Sequence, residues 1–271
     1  SNSMPWAVDN IIRADGGLVN ECENYYFIAE TDNRVVSLMW YSEKNKVATY
    51  GLVSTKEEYR RKGIVNLLLQ ECISFMKQSS TLKAVYLAVS NNVAQKIYEN
   101  AGFKNYNGNP DCYIMRKVIA NDISDFDKYY FAKTDKYTID NVKRGDLPLL
   151  EALYNYNNGI NIKDYTANLG LNTAAECQII DLINRTDEKK GSFMCIRNAD
   201  ENIVGASTIF DDEQGTKVLD FFVHDNYFNH VEELLVKIIK QDKMRNGKKI
   251  VTHFHNQDKI NRDVITKLGG F

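Results

Sequence analysis

The chain has 271 residues, 44% of them hydrophobic and 26% charged, with 34 Lys and Arg against 36 Asp and Glu for a formal net charge of -2. That balance excludes a binder of phosphate backbones, and no apolar run approaches the roughly 18 residues that cross a bilayer, so neither nucleic acid nor membrane is an expected partner. The length and apolar content provide for one large or two medium cores, and the five scattered cysteines (Cys22, Cys72, Cys112, Cys177 and Cys195) read as reduced thiols of a cytoplasmic protein.

In chain order, the first predicted strand starts at Tyr25, a turn at Asp32-Asn33 joins it to the next, and a later strand closes at Val53-Ser54-Thr55. A cationic turn follows, Arg60-Arg61-Lys62-Gly63-Ile64-Val65. A strand that stops at Thr55 and a helix that starts near Gly63 leave several backbone N–H groups without intrahelical partners, and such groups bind anions. The helix dipole adds positive charge, Gly63 lets a ligand approach the backbone, and Arg60, Arg61 and Lys62 strengthen the field. A pyrophosphate fits such a cradle.

Beyond the turn, Ile64, Leu67, Leu68, Cys72 and Phe75 recur at helical spacing and are the expected buried face of a helix. The continuous apolar run from Ala84 to Val89 predicts a strand covered on both faces. Asn91 or Asn92 caps a second helix, Val93, Ala94, Ile97, Tyr98 and Ala101 are its expected buried face, and Gly102 ends it.

From Val53 to Phe103, about a fifth of the chain, this order of parts resembles the coenzyme-binding half of the GNAT superfamily of acyl-CoA-dependent N-acyltransferases. The family's first signature, Arg or Gln, two residues, Gly, one residue, Gly or Ala, falls on Arg60, Gly63 and Val65, the last bulkier than the family's residue. The second, Asn-x-x-Ala-x-x-hydrophobic-Tyr followed by Gly-Phe, falls on Asn91, Ala94, Ile97, Tyr98, Gly102 and Phe103 without a gap. The resemblance implies an N-acetyltransferase that uses acetyl-CoA as cosubstrate and lets a primary amine, of a small molecule or a peptide, attack the thioester directly. It implies coenzyme contacts at Val53, Ser54 and Thr55, where the strand splays from its neighbour, at Arg60, Arg61, Lys62, Gly63, Ile64 and Val65, and at Asn91, which steadies the pantetheine arm. Tyr98 is the implied acid that protonates the leaving sulfur. A coenzyme-A-binding sensor without turnover is the alternative. The general base is unassigned, with Glu23, Glu30, Glu57 and Glu58 candidates by location alone. No metal is expected: His253 and His255 share a strand face, but no third ligand stands out in the sequence.

A second, drifted copy of the pattern follows. Asp32-Asn33 recurs as Asp200-Glu201, Val53 as Val223 and Gly102-Phe103 as Gly270-Phe271, at spacings of 168, 170 and 168 residues. The expected architecture is therefore α/β with mixed sheets (α+β): two GNAT-like domains in tandem, the first short at its N-terminus and the second at its C-terminus. Residues 1–120 form the expected catalytic domain, 121–136 a linker, and 137–271 a degenerate, noncatalytic domain. In the latter, Tyr137-Thr138-Ile139 opens a strand, Asp146 with Pro148 starts a helix, and Thr173-Ala174-Ala175-Glu176 forms a capping box. Three strands then lie near Phe193 to Arg197, Ile203 to Phe210 and Lys217 to Val223. Its turn from His224 to His230 has no glycine, Arg or Lys, and Thr266 stands where Tyr98 does. The first domain's acceptor wall is expected from the second domain or from the partner in a homodimer. The aromatic linker residues Phe126, Tyr129, Tyr130 and Phe131 are expected to pack between the domains.

Overall fold

Three strands, β1 (Glu23–Thr31), β2 (Arg34–Lys44) and β3 (Val47–Thr55), form an antiparallel meander in this computed structural model, which describes residues 21–89, 91–106, 113–159, 162–170, 175–212, 214–246, 249–253 and 259–269. Their connections put Asp32, Asn33 and Asn45 in the left-handed region, which short polar side chains tolerate. Helix α1 (Ile64–Met76) then crosses to β4 (Ala84–Val89), which runs parallel to β3 and is followed by α2 (Asn92–Asn100), β5 (Lys104–Asn105) and β6 (Tyr113–Val118). The six strands are ordered β1-β2-β3-β4-β6-β5.

The buried face of α1 is rotated from the expected one. Leu68, Leu69, Cys72 and Met76 are inside, whereas Leu67 is 63% and Phe75 41% exposed. Phe75 instead lies against the rings of Tyr25 and Phe27 on the outermost strand, so the rim of the sheet covers part of a residue that periodicity assigns to the core. Val93, also expected inside, is exposed in the first turn of α2.

The second sheet has four strands that follow the order of β1 to β4 in the first. After the short helix α3 (Phe126–Tyr130), it contains β7 (Tyr137–Asn141), β10 (Gly191–Asn198), β11 (Ile203–Asp211), β12 (Lys217–Val223) and β13 (Ile250–Val251) in the order β13-β12-β11-β10-β7. Strands β10, β11 and β12 are an antiparallel meander, and β12, like β3, takes a parallel neighbour after a helical crossover, here α6 (Val231–Asn246), with α7 (Lys259–Lys267) last. The two meanders even share a left-handed turn residue, Asn33 in one and Glu201 in the other. Between β7 and β10 come α4 (Leu147–Asn155), the hairpin β8 (Ile162–Asp164) and β9 (Leu169–Gly170), and α5 (Ala175–Asp187). Pro148 sits in the first turn of α4, where a missing N–H costs nothing. The front of the capping box expected there at Thr173 and Ala174 lies outside the described residues, as do Cys112, His255, Gly270 and Phe271.

Helix α4 explains how the sheets hold together. All nine of its residues are buried, because it packs on β3, β2 and β4 of the first sheet and on β11 of the second. One apolar core therefore runs from Trp40, Val47 and Tyr86 through Leu150 and Leu153 to Phe193 and Phe210. Phe126, Tyr130 and Phe131 are buried in the same core, so the aromatics of residues 121–136 do pack between the sheets. Polar bonds reinforce the junction: Lys44 of β2 reaches Asp146 at 2.7 Å, and Asn45 donates to the Asp200 carbonyl at 2.6 Å. Among the described residues, no helix is long and apolar enough to cross a membrane.

Candidate active site

The ladder between β3 and β4 is short. It runs through Val47↔Ala84, Ala48↔Val85 and Thr49↔Tyr86 and stops there, although β3 continues to Thr55 and β4 to Val89. At the point of separation β3 also carries a bulge against β2, opposite Met39, with Leu52 at φ +50°. A leucine in the left-handed region is unusual, and bulges re-aim the backbone near functional sites. Beyond the bulge, Ser54 and Thr55 are tied to β2 by the Ser37 hydroxyl, which donates to the Ser54 carbonyl at 3.1 Å and meets Thr55 Oγ1 at 2.8 Å. The opposite edge of Val53-Ser54-Thr55 faces the gap.

The cationic turn stands at the end of that strand. Arg60, Arg61, Lys62 and Gly63 are exposed, Arg61 (φ +61°) and Gly63 (φ +78°) are both left-handed, and no side chain caps α1. Arg60 Nε donates to the Thr55 carbonyl at 3.1 Å and so pins the turn to the strand, while Lys62 lies 4.9 Å from the centre of the Tyr59 ring. Nothing lies within 4 Å of the place a Cβ would take on Gly63. The first amides of α1 thus start beside open space with two arginines and a lysine around them. Ile64 and Val65 are half-buried and pack with Val53 against the cluster that contains Tyr98, so the bulk of Val65 is engaged with the core.

On the other side of the gap Asn91 caps α2. Its Oδ1 accepts from the amides of Val93 at 2.8 Å and Ala94 at 3.3 Å, which leaves its side-chain NH2 as the group a ligand can engage. Tyr98 is 7% exposed and packs edge-on against Tyr50 at 5.7 Å and Phe103 at 5.8 Å. Burial pushes its phenol up to about 12, and a hydrogen bond from Tyr50 opposes the rise. Tyr50 is a residue that sequence reasoning missed; its only signal is its place in the alternation of β3.

Alternation also sends Thr49 and Gly51 to the opposite face, where the second half of the chain covers the sheet. Thr49 Oγ1 donates to Glu151 of α4, and Glu176 Oε1 of α5 lies 3.9 Å from the position of a Cβ on Gly51, with the Trp40 ring at 3.7 Å. Glu151 is 3% and Glu176 9% exposed. Burial first, and the charge of Glu176 second, raise the Glu151 carboxyl to about 8 against the lowering effect of the Thr49 bond. In contrast, Glu23, Glu30, Glu57 and Glu58 are all exposed. His253 is exposed beside the Tyr165 ring. Among the described residues no three His, Cys, Asp or Glu side chains converge as metal ligands do.

Residues 4–103 match the acetyltransferase (GNAT) family profile. An N-alpha-acetyltransferase of Sulfurisphaera tokodaii is 31% identical to this chain, over a stretch that covers 36% of this chain and 71% of that protein. The chain belongs to the GNAT family of acetyltransferases. Among solved structures, the PaiA N-acetyltransferase of Thermoplasma acidophilum in complex with coenzyme A aligns at 24% identity over 41% of this chain and 67% of its own, with a TM-score of 0.35. The ribosomal-protein-S18-alanine N-acetyltransferase of Escherichia coli aligns at 19% identity over 42% and 79%, with a TM-score of 0.34. The matched GNAT span contains the Gly63 turn, the β3–β4 gap and Tyr98, and it ends before Glu151 and Glu176.

Proposed function

We propose that this protein is an N-acetyltransferase that transfers the acetyl group of acetyl-CoA to a primary amine of a small molecule or peptide by direct attack. The observation that carries the reading is the gap between β3 and β4, which opens with an exposed, uncapped helix start at one side and the buried phenol of Tyr98 at the other. Acetyl-CoA supplies an acyl group activated as a thioester. Arg60, Arg61 and Lys62 neutralise its phosphates, while the amides of Gly63, Ile64 and Val65 donate to them. The free edge of Val53-Ser54-Thr55 and the Asn91 amide hold the pantetheine arm, and a backbone N–H of the bulged strand stabilises negative charge as it develops on the carbonyl oxygen. Tyr98 gives its proton to the departing sulfur. A phenol held near 12 is a weak acid beside an exposed thiol, so this transfer is favourable only where the sulfur anion forms in the same water-poor gap that raises the phenol.

We assign this chemistry to residues 1–120, with 121–136 as connector and 137–271 as a noncatalytic domain that braces the first. In the second domain the turn at Asp225–His230 is filled by protein contacts: the Asn226 amide donates to His224 Nδ1 at 3.2 Å, its side chain donates to the Phe131 carbonyl at 2.9 Å, and the Tyr227 hydroxyl donates to the Ala132 carbonyl at 2.5 Å. Those bonds tie the turn to the protein, and Asp225 adds the wrong charge for a phosphate.

Thiol release from acetyl-CoA tests the reading. The relative from Sulfurisphaera is an N-alpha-acetyltransferase, so a peptide with a free amino terminus heads the amine panel, followed by lysine and a polyamine. Amine-dependent release is expected; background release across the panel alongside tight coenzyme binding would assign a sensor without turnover. Arg60→Ala is expected to weaken acetyl-CoA binding by about 1–3 kcal/mol in calorimetry, as it removes a charged donor and unpins the turn from Thr55. Equal affinity would show that backbone amides suffice.

A further inference from the structure

Tyr98 does not stand alone: a second buried phenol, Tyr50 of β3, shares its place in the core. We propose that Tyr50 is a positioning residue for the transfer step, whose hydroxyl turns from the sulfur of Met39 to the oxygen of Tyr98 as that oxygen loses its proton and so holds the phenolate that forms. The inference rests on the acetyltransferase reading and extends it from the proton donor to the group that makes the donor effective.

Three observations carry it. The first is place. Tyr50 follows directly on Thr49, the last rung of the β3–β4 ladder, and alternation turns its ring to the side of α1 and α2, where it meets Tyr98 edge-on at 5.7 Å and Phe103 at 6.3 Å. With Phe103 5.8 Å from Tyr98, the three rings fix one another's orientation. The second is a hydroxyl with a weak partner. Tyr50 is 2% exposed in a cluster with Met39, Leu69, Cys72 and Leu87, where phenylalanine would fill the same space without a polar atom to satisfy. Its hydroxyl donates to Met39 Sδ at 3.3 Å, and a thioether is a poor acceptor. A phenolate at Tyr98 is a far stronger one, so the single O–H proton goes to it by rotation about the C–O bond. The third is the ordering of the two acids. Burial, followed by the neighbouring Tyr98 and Cys72, pushes the Tyr50 phenol well above its ordinary value, and the bond between the two phenols raises Tyr50 further while it opposes the rise at Tyr98, which stays at about 12. Tyr98 therefore gives its proton while Tyr50 keeps its own. Among the described residues no Lys, Arg or His donates to the Tyr98 oxygen, so the charge left there is held by Tyr50.

The protons balance. The neutral amine forms the C–N bond as the C–S bond breaks, and the electron pair of the broken bond goes to sulfur, which takes the Tyr98 proton and leaves as the thiol. The nitrogen sheds one proton to water and keeps one as the amide N–H. Water returns one proton to Tyr98, and the Tyr50 hydroxyl swings back to Met39.

The test is a double-mutant cycle on the full-length protein, with Tyr50→Phe, Tyr98→Phe and the two combined, and a peptide with a free amino terminus as acceptor. Tyr50→Phe is expected to lower kcat about 10- to 100-fold, the range for a hydrogen bond to a charged group, while KM for the peptide and Kd for acetyl-CoA stay within about twofold. In the Tyr98→Phe background, read by single turnover at high enzyme concentration, the same substitution is expected to change the rate by less than about threefold, because no phenolate forms there for Tyr50 to hold. A side chain that served packing alone would slow both backgrounds by the same factor. Melting temperatures near that of the wild type verify that each variant folds. Unchanged kcat in Tyr50→Phe, or an equal loss in both backgrounds, with the wild type active and Tyr98→Phe impaired, would overturn this inference and leave the acetyltransferase reading standing. Full activity in Tyr98→Phe would overturn it as well, by removing the phenolate it depends on. A wild type that acetylates no amine would overturn both the inference and the reading.

Discussion

Replacing Tyr98 with phenylalanine is expected to lower kcat by about 100- to 10,000-fold, the range supplied by a positioned general acid, with little change in acetyl-CoA affinity. The substitution removes one oxygen and keeps the ring, so the edge-on contacts with Tyr50 and Phe103 persist and the gap keeps its shape. What disappears is the proton the sulfur needs. Loss of the hydrogen bond to Tyr50 should cost only about 1 kcal/mol of stability, too little to unfold the protein. Because burial keeps the phenol protonated up to about 12, the wild type should show no alkaline loss of kcat attributable to Tyr98 below that pH. Steady-state thiol release, paired with calorimetry on the same samples, separates the two effects; unchanged kcat would clear Tyr98 of its role.

Asp146→Ala is expected to be the most destabilising single change at the junction, at about 3–5 kcal/mol in urea unfolding. The Asp146 side chain is fully buried and accepts from Lys44 at 2.7 Å, from Arg197 Nη1 and Nη2 at 3.2 and 2.5 Å, and from the Lys143 amide at 2.7 Å. Alanine would strand Arg197, itself 3% exposed, with only Asp140 at 3.0 Å as partner in that network. The pH dependence has a definite sign. Burial acts to raise the Asp146 pKa, but Arg197 and Lys44 outweigh it and hold the carboxyl below its ordinary value. Its contribution is therefore complete above the ordinary carboxylate range, about pH 4, and is lost as pH falls through the lower folded value. The variant should lose that acid-dependent share. A cost under about 1 kcal/mol would mean that apolar packing around α4 alone joins the halves.

Glu151 tilts stability the other way. A carboxyl raised to about 8 binds its proton more readily folded than unfolded, so this part of the stability is present below about pH 4.5 and is lost as pH rises toward 8. Melting temperatures of the wild type should decline across that interval, and Glu151→Gln should flatten the decline.

The parts of the site that are local in sequence were legible. The Arg60–Gly63 turn, the run from Ala84 to Val89 and the Asn91 cap are each written in a few adjacent residues whose backbone chemistry has few solutions, and the structure places a turn, a strand and a cap there. The repeated meander was legible from landmark spacing, since hairpin turns need residues that tolerate left-handed backbone wherever they occur. Docking decided the rest. Periodicity located α1 but misplaced Leu67 and Phe75, because which flank of a helix is covered depends on where the sheet's rim ends. Leu52 gives no local sign of its bulge. Glu151 sits amid Leu149, Leu150 and Leu153, where a single charged residue reads as the solvent side of a core helix; it is buried because the first sheet, about a hundred residues earlier in the chain, covers that side.

The most direct test of the central claim is a backbone amide NMR titration of the full chain with acetyl-CoA. A coenzyme held at the uncapped start of α1 with its acyl group in the β3–β4 gap predicts the largest shifts at Gly63, Ile64 and Val65 and along Leu52 to Thr55, with none at Asp225–His230. Undisturbed amides at Gly63 to Val65 with saturable shifts elsewhere would contradict it.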